Sequence, residues 1–441
     1  MMDAYGKNDI GLSNRRTKMV YFEGPRDIQR HSKLPLFMQL HGGILPRMML
    51  PLGFVGCWAT AIILIHKNVQ DIGSFGLPPE IANDYANRTI GVDTVLLTVL
   101  GFVVAFAVSF RSSTAYERYS EGRRYWSTLT VTSRNIGRLV WINMLERTDE
   151  EDPLRIKKDL LGKITAINLI IAFSVALKHR LRFEPAVDYP DLAHLISPIS
   201  RTTVASQADQ SKLKHRNPST MKKIGEYSGL TFANSNPRKL IKRSEDNLGN
   251  LPHEILAHLS AYLEKAMAQK QIVGCHKFFW NDIRTMADIL TGVERILNTP
   301  LPLAYTISIS QITWAYIMVL PFQLVRKLGY VTIPATILAA YIILGLAMIG
   351  QEIENPFGND VNDLPLESYC DEIAADLDVL ISVPMSEYAD FQEAETNRPL
   401  YPLDGQTATE WLDQSMDDVR ALLKQKAMTR KRKTAVETEE V

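Results

Sequence analysis

The stretch between Asp93 and Arg111 constrains this chain most, because it holds no charged residue at all. A bilayer core about 30 Å thick is crossed by roughly 20 apolar residues in a helix. In lipid, each backbone polar group must be satisfied within its own helix. Val92–Phe110 therefore predicts a transmembrane helix. Leu45–Ile65 predicts another, with its one charge, Arg47, at the edge and Pro46 and Pro51 in the first turns. Leu301–Val325 starts polar, through Thr306, Ser308, Ser310, Gln311 and Thr313, and is then apolar through Phe322. Val331–Ile349 is apolar, with Pro334 in its first turn, where proline is tolerated. The link Arg326–Tyr330 is so short that these two segments must form an antiparallel hairpin. Buried soluble helices are the alternative for this hairpin, and its length and apolarity favour membrane spans.

Global composition hides this pattern. The 441 residues carry 49 Lys and Arg against 49 Asp and Glu, a balance that gives no sign of a nucleic-acid partner. The mean hydropathy of −0.07 would suit a soluble protein, because the charges are concentrated between the apolar runs. Cys57, Cys275 and Cys370 are far apart and form neither a metal spacing nor a disulfide framework. The first apolar run begins near Ile44, too deep for a cleaved signal peptide. Arg15, Arg16, Lys18, Arg26, Arg30, Lys33 and Arg47 precede the first span, and Arg111, Arg118, Arg123 and Arg124 follow the second. Basic residues gather on the cytoplasmic side, so four spans with both termini in the cytoplasm fit best.

The expected fold is all-α and divides into five stretches. Residues 1–43 form an N-terminal cytosolic segment, and 44–110 hold the first two spans. Residues 111–299 form a cytosolic helical region, 300–352 the third and fourth spans, and 353–441 a C-terminal cytosolic region with a basic tail. Ile156–Leu181 is long enough to cross a bilayer, but Lys157, Lys158, Asp159 and Lys163 crowd its start. It reads better as a buried helix of a cytosolic bundle. Ile255–Ile272 and Lys277–Leu297 have amphipathic helical spacing, and helices are also expected at Glu367–Ile381 and Ala408–Gln425. Residues 200–246 are rich in Ser, Thr, Asn, Lys and Arg and poor in large apolar residues, and they predict a basic insertion without a core.

Three stretches carry a family resemblance. Phe110–Trp126, FRSSTAYERYSEGRRYW, directly follows the second span; Pro300–Thr306, PLPLAYT, opens the third; Glu352–Leu366, EIENPFGNDVNDLPL, closes the fourth. In sequence and order they resemble signatures of the bestrophin ion channels, in the bacterial, plant and fungal branch. The resemblance runs from about Leu34 to Ile381. It implies a homopentamer with one central pore, a narrow neck lined by the second span, and a cytosolic vestibule ending in a second constriction. The implied solutes are chloride and other small anions moving passively, although some bacterial members prefer cations.

Aligning on Arg111 and Tyr116 places Val95, Val99 and Val103 at the family's apolar neck positions. A neighbouring stripe of Leu96, Leu100 and Val103 satisfies the helical period equally well. Rings of such residues gate by dewetting. Asp93, at the outer mouth, either caps the helix N-terminus or forms a carboxylate ring that would favour cations. The cytosolic constriction is placed at Ile272, with Val273 beside it as the other choice. Arg118 with Glu121, and Glu121 with Arg124, are spaced to pair along one helix, and a cytoplasmic-side anchor with interhelical ion pairs is preferred to ion binding here.

After the fourth span, Asn355-Pro356-Phe357-Gly358 stops the helix. Asn355, Asp360 and Asp363 match positions that form a calcium clasp in animal bestrophins, but Asn359, Val361 and Asn362 stand where acids are common. Fewer charges weaken calcium, and a structural turn with Asp363 capping the next helix is the competing reading. No nucleophile triad, phosphate loop or zinc motif is present, so no enzyme is expected. An anion channel is the favoured function. A carrier or wide-pore exporter of small organic anions, a cation-preferring channel and a non-conducting scaffold are the rivals. Membrane lipid and other copies of the chain are the expected partners.

Overall fold

A computed structural model of the protein describes residues 43–73, 94–147, 154–204, 248–385, 387–388, 390–392 and 394–426. Helix α1 spans Leu45–Gly73 and α2 spans Thr94–Arg138, running on into a π-helical turn at Leu139–Asn143. Helix α3 is Arg155–Leu181, α4 is Leu251–Ala268 and α5 is His276–Asn298. Helices α6 (Leu303–Leu328) and α7 (Thr332–Glu352) follow, and then α8 (Leu366–Ile381). Among the described residues there is no strand, only an isolated bridge between Met144 and Ile272.

The expected hairpin is present. Pro302 stands at the N-cap of α6, and Gly329, at φ +52°, leads a single 3-10 turn that reverses the chain into α7. That left-handed φ favours a residue without Cβ. Helices α6 and α7 pack on the first half of α2, and α1 packs on α6 and α7, through two small cores. One is Met48, Val55, Ile317, Ala340 and Leu344; the other is Val104, Val108 and Ile309. The second half of α2 enters a much larger core with α3, α4, α5 and α8, around Trp126, Phe173, Leu259, Phe279 and Phe357.

Burial decides the status of α3. Its most apolar window is 67% buried within the protein, against 22–28% for the corresponding windows in α1, α2 and the α6–α7 hairpin. Its apolar residues thus pack against protein, as expected of a bundle helix. Of the charges at its start, Lys157 and Lys158 are exposed, while Asp159 binds Arg147 at 2.7 Å and the fully buried Lys163 reaches Glu146 at 2.9 Å.

Helix α2 continues past the apolar span, because 45 residues form one uninterrupted helix without proline. Its buried side continues from Leu97, Val104 and Val108 through Arg111 and Ala115 to Trp126, Leu129 and Ile136, so the packing side never changes. The helix expected at Ala408–Gln425 is broken into Ala408–Leu412 and 416–426. Thr407 and Glu410 form a capping box for the first piece. Ser415 Oγ accepts from the Asp418 amide at 3.2 Å and starts the second. The expectations for most of the N-terminal segment, for Asp93, for most of the basic insertion and for the basic tail lie outside the described residues.

Candidate functional site

The first half of α2 has one face packed on its own chain and one face bare. Leu97, Val104 and Val108 are buried, while Val95 is 71% exposed, Val99 56%, Phe102 75% and Phe106 67%. At 3.6 residues per turn those four exposed side chains stand opposite the buried strip. Val103, 41% exposed, borders this face. Leu96 is exposed but lies toward one flank, and Leu100 is half-buried. The packing thus sets Val95 and Val99 farther from the chain's own interior than the Leu96–Leu100 stripe. Phe102 and Phe106 were missed from sequence. Their signal was the phenylalanine spacing along α2, which a valine-based alignment passed over.

Below this face, at the boundary with the bundle, Arg118 spreads its guanidinium over three backbone carbonyls. Nε donates to Glu354 O at 3.0 Å, Nη1 to Thr299 O at 2.5 Å and Nη2 to Ile296 O at 2.6 Å. The last carbonyls of α5 have no partners within their own helix, and a cation suits that end of the dipole. Burial is the largest influence on Arg118 and lowers its pKa, opposed by the charges of Glu354 and Glu121. Arg111, buried in the same helix, lies 3.7 Å from the Glu354 carboxylate. Glu121 pairs with Arg295 of α5, an interhelical ion pair of the kind expected of this stretch. Tertiary carbonyls and charges outcompete the exposed partner three residues away.

The turn after α7 folds upon itself. Asp363 Oδ2 accepts from the Asp360 amide at 2.7 Å, Asp363 N donates to Asp360 O at 3.0 Å, and Leu364 N to Pro356 O at 2.9 Å. Burial pushes the Asp363 carboxyl up to about 7, partly offset by the Asp360 amide. Asp363 does not cap α8, whose N-cap is Pro365 without a side-chain bond. Asp360 pairs with Arg47 at 3.4 Å, and Asn362 donates to Glu352 at 2.9 Å. Calcium takes six to eight oxygens. One carboxyl committed to its own turn, one carboxylate shared with an arginine and an exposed Asn355 do not fit that demand. Among the described residues no group of three or more His, Cys, Asp or Glu side chains converges for a metal. Phe357, fully buried, presses on Gly122 of α2, where an added Cβ would stand 3.0 Å from its ring.

Residues 26–379 match the family described as Bacterial/Fungal Bestrophin protein. The chain belongs to the bestrophin family. It is 32% identical over 287 residues to a voltage-dependent anion channel-forming protein of Synechocystis sp., covering 65% of this chain and 77% of that protein. A voltage-dependent anion channel-forming protein of Escherichia coli is 27% identical over 294 residues, covering 66% of this chain and 78% of its own length. Among solved structures, a bacterial bestrophin homologue from Klebsiella pneumoniae aligns with TM-score 0.51 and 20% identity, over 76% of this chain and all of that one. That likeness speaks for the fold.

The first and third stretches that resembled bestrophin signatures meet in this bestrophin beside the start of the second. Arg118 comes from the first, Thr299 immediately precedes the second, and Glu354 and Phe357 belong to the third. As a family member with long apolar helices, the chain is an integral membrane protein. The placement of the cytosolic constriction at Ile272 fails on geometry. Ile272 is 2% exposed, bridges Met144 and belongs to the large core, so it cannot line a pathway. The adjacent Val273 is 68% exposed. A strand-like bridge at the end of α4 sets this alternation, which helical periodicity did not anticipate.

Proposed function

We propose that this bestrophin assembles as a homopentamer around α2 and conducts chloride and other small anions passively through an apolar neck. The observation that carries the reading is the bare face of α2, with Val95, Val99, Phe102 and Phe106 turned away from the chain's own packing. A transmembrane helix whose apolar face is left bare by its own subunit needs lipid, neighbouring copies or a pore beside it. Five copies packed around one axis turn that face inward as a collar, which dewets when narrow. Val273, exposed beside a buried Ile272, is the matching position for a cytosolic constriction. The relatives named as anion channel-forming proteins support the solute class. Both termini lie on the cytoplasmic side, as the distribution of basic residues supports.

Purified protein in planar bilayers under a chloride gradient tests this. Discrete current steps that reverse near the chloride equilibrium potential are expected. Reversal near the cation potential would overturn the solute class. Slow saturable flux would mean a carrier, and no flux a scaffold. Particle images showing monomers, or α2 facing lipid, would end the pore reading.

A further inference from the structure

The C-terminal end of α3 carries a charged cluster that an ion pathway along α2 does not use. His179 is buried there, with Nδ1 2.6 Å from Glu184 Oε2 and Nε2 3.1 Å from Asp191 Oδ1. Carboxylates only accept, so both ring nitrogens can be hydrogen-bonded at once only if each carries a proton. A neutral imidazole would turn a lone pair toward one of the two carboxylates. The Tyr189 ring lies flat against the imidazole at 4.2 Å, and the C-terminal end of the α3 dipole favours a cation.

The cluster holds a strap. Glu184 N donates to His179 O at 2.9 Å, and Lys178 Nζ reaches Asp191 Oδ2 at 2.5 Å. Arg182 pairs with Glu367 of α8. The chain then runs through a single turn at Ala193–Ile196 to Val204, whose amide donates to Glu254 of α4 at 2.8 Å. Arg180, beside His179, binds Glu294 of α5 at 2.7 Å and Gly249 O at 3.2 Å. One helix end therefore anchors the chain on both sides of residues 205–247, where the basic insertion falls.

We propose that His179 is a proton-controlled clasp. As an imidazolium it bridges Glu184 and Asp191 and holds residues 182–192 on α3. When it loses its proton, one carboxylate is released and the strap that leads to the basic insertion loosens.

The surrounding charges set the direction. Burial lowers the pKa of His179, but hydrogen bonds to Asp191 and Glu184 outweigh it and the net shift is upward, against the nearby Lys178. Despite burial, hydrogen bonds from His179 and Lys178 keep Asp191 well below the usual carboxylate range. Asp188 also belongs to the strap, and α8 contributes Glu367, Asp371 and a Cys370 thiol that burial pushes up to about 12. With its folded pKa above the ordinary value, His179 stabilises the strap fully below about pH 6.5, and that support is lost as pH rises through the raised value.

Amide exchange of the full chain in lipid nanodiscs between pH 6 and pH 9, corrected for intrinsic rates, tests the clasp. Protection across residues 182–192 should fall about tenfold as pH rises, the scale of one charge-assisted hydrogen bond, while the core of α5 stays unchanged. His179→Gln should show the low protection already at pH 6 and no transition. Glu184→Gln, which keeps the shape, should move the transition to lower pH. Flat wild-type protection, an unmoved transition in Glu184→Gln, or a wild-type response in His179→Gln would overturn the proposal.

Discussion

Arg118 offers the sharpest test of how the membrane helices are joined to the bundle. Its three nitrogens reach three carbonyls on two different segments, at 3.0, 2.5 and 2.6 Å. A hydrogen bond from a charged donor contributes about 1.5–3 kcal/mol net. Arg118→Lys keeps the charge near the end of α5 but offers a single nitrogen in place of a fork, so at least one carbonyl loses its partner. The expected cost is about 1.5–3 kcal/mol. Arg118→Ala loses all three bonds, but water can reach this half-exposed site and satisfy part of the deficit. The expected cost is therefore about 3–5 kcal/mol rather than the full sum. Glu121→Gln serves as the control. It removes the exposed pair with Arg295 and a charge that also acts on Arg118, while the three carbonyl bonds stay, and about 0–1 kcal/mol is expected. Unfolding of the detergent-purified chain, followed by tryptophan fluorescence at a fixed scan rate, ranks the variants. The expected order of loss is Ala, then Lys, then Glu121→Gln. If Arg118→Lys matched wild type, or if Glu121→Gln cost as much as Arg118→Ala, the carbonyl fan would not be what holds the junction.

Val99→Phe should lower single-channel conductance in planar bilayers by narrowing the neck; unchanged conductance would count against Val99 lining it. Phe357→Ala should cost about 3–5 kcal/mol, read as a lowered unfolding midpoint, because the ring is fully buried against Gly122. Gly122→Ala should also destabilise, by about 1–3 kcal/mol, since the new methyl meets Phe357 and Pro356; a gain in stability would contradict that packing. Millimolar calcium, or its removal with chelator, should leave the unfolding midpoint unchanged, and a rise of several degrees with calcium would mean that Asp360 and Asp363 rearrange into a site.

The helices were legible wherever a run of apolar residues or an amphipathic period spoke for itself. The α6–α7 hairpin followed from a link too short for any other path, and the bundle placement of α3 from the charges at its start. Tertiary choices were harder to read. Arg118 had a plausible partner at Glu121, and nothing local reveals that the carbonyls of Ile296 and Thr299 lie closer. Ile272 and Val273 have similar side chains, and only the bridge to Met144 decides which one is buried. On α2 the period permitted two valine and leucine stripes, while the face that the chain leaves bare also includes Phe102 and Phe106. Which side of a helix packs depends on its neighbours, and those are set by contacts distant in sequence.

The unbroken α2 has a mechanical meaning. Forty-five residues at about 1.5 Å each make a rod of roughly 68 Å, about twice the thickness of a bilayer core. It contains no proline, and Gly101, Gly122 and Gly137 each face a neighbouring side chain that leaves little room to flex. Such a rod behaves as an axle. Its far end is tied to α8 through Arg134, which pairs with Glu372 and Asp376, so the exposed face at Val95 and the bundle contacts at Arg134 sit on one continuous element.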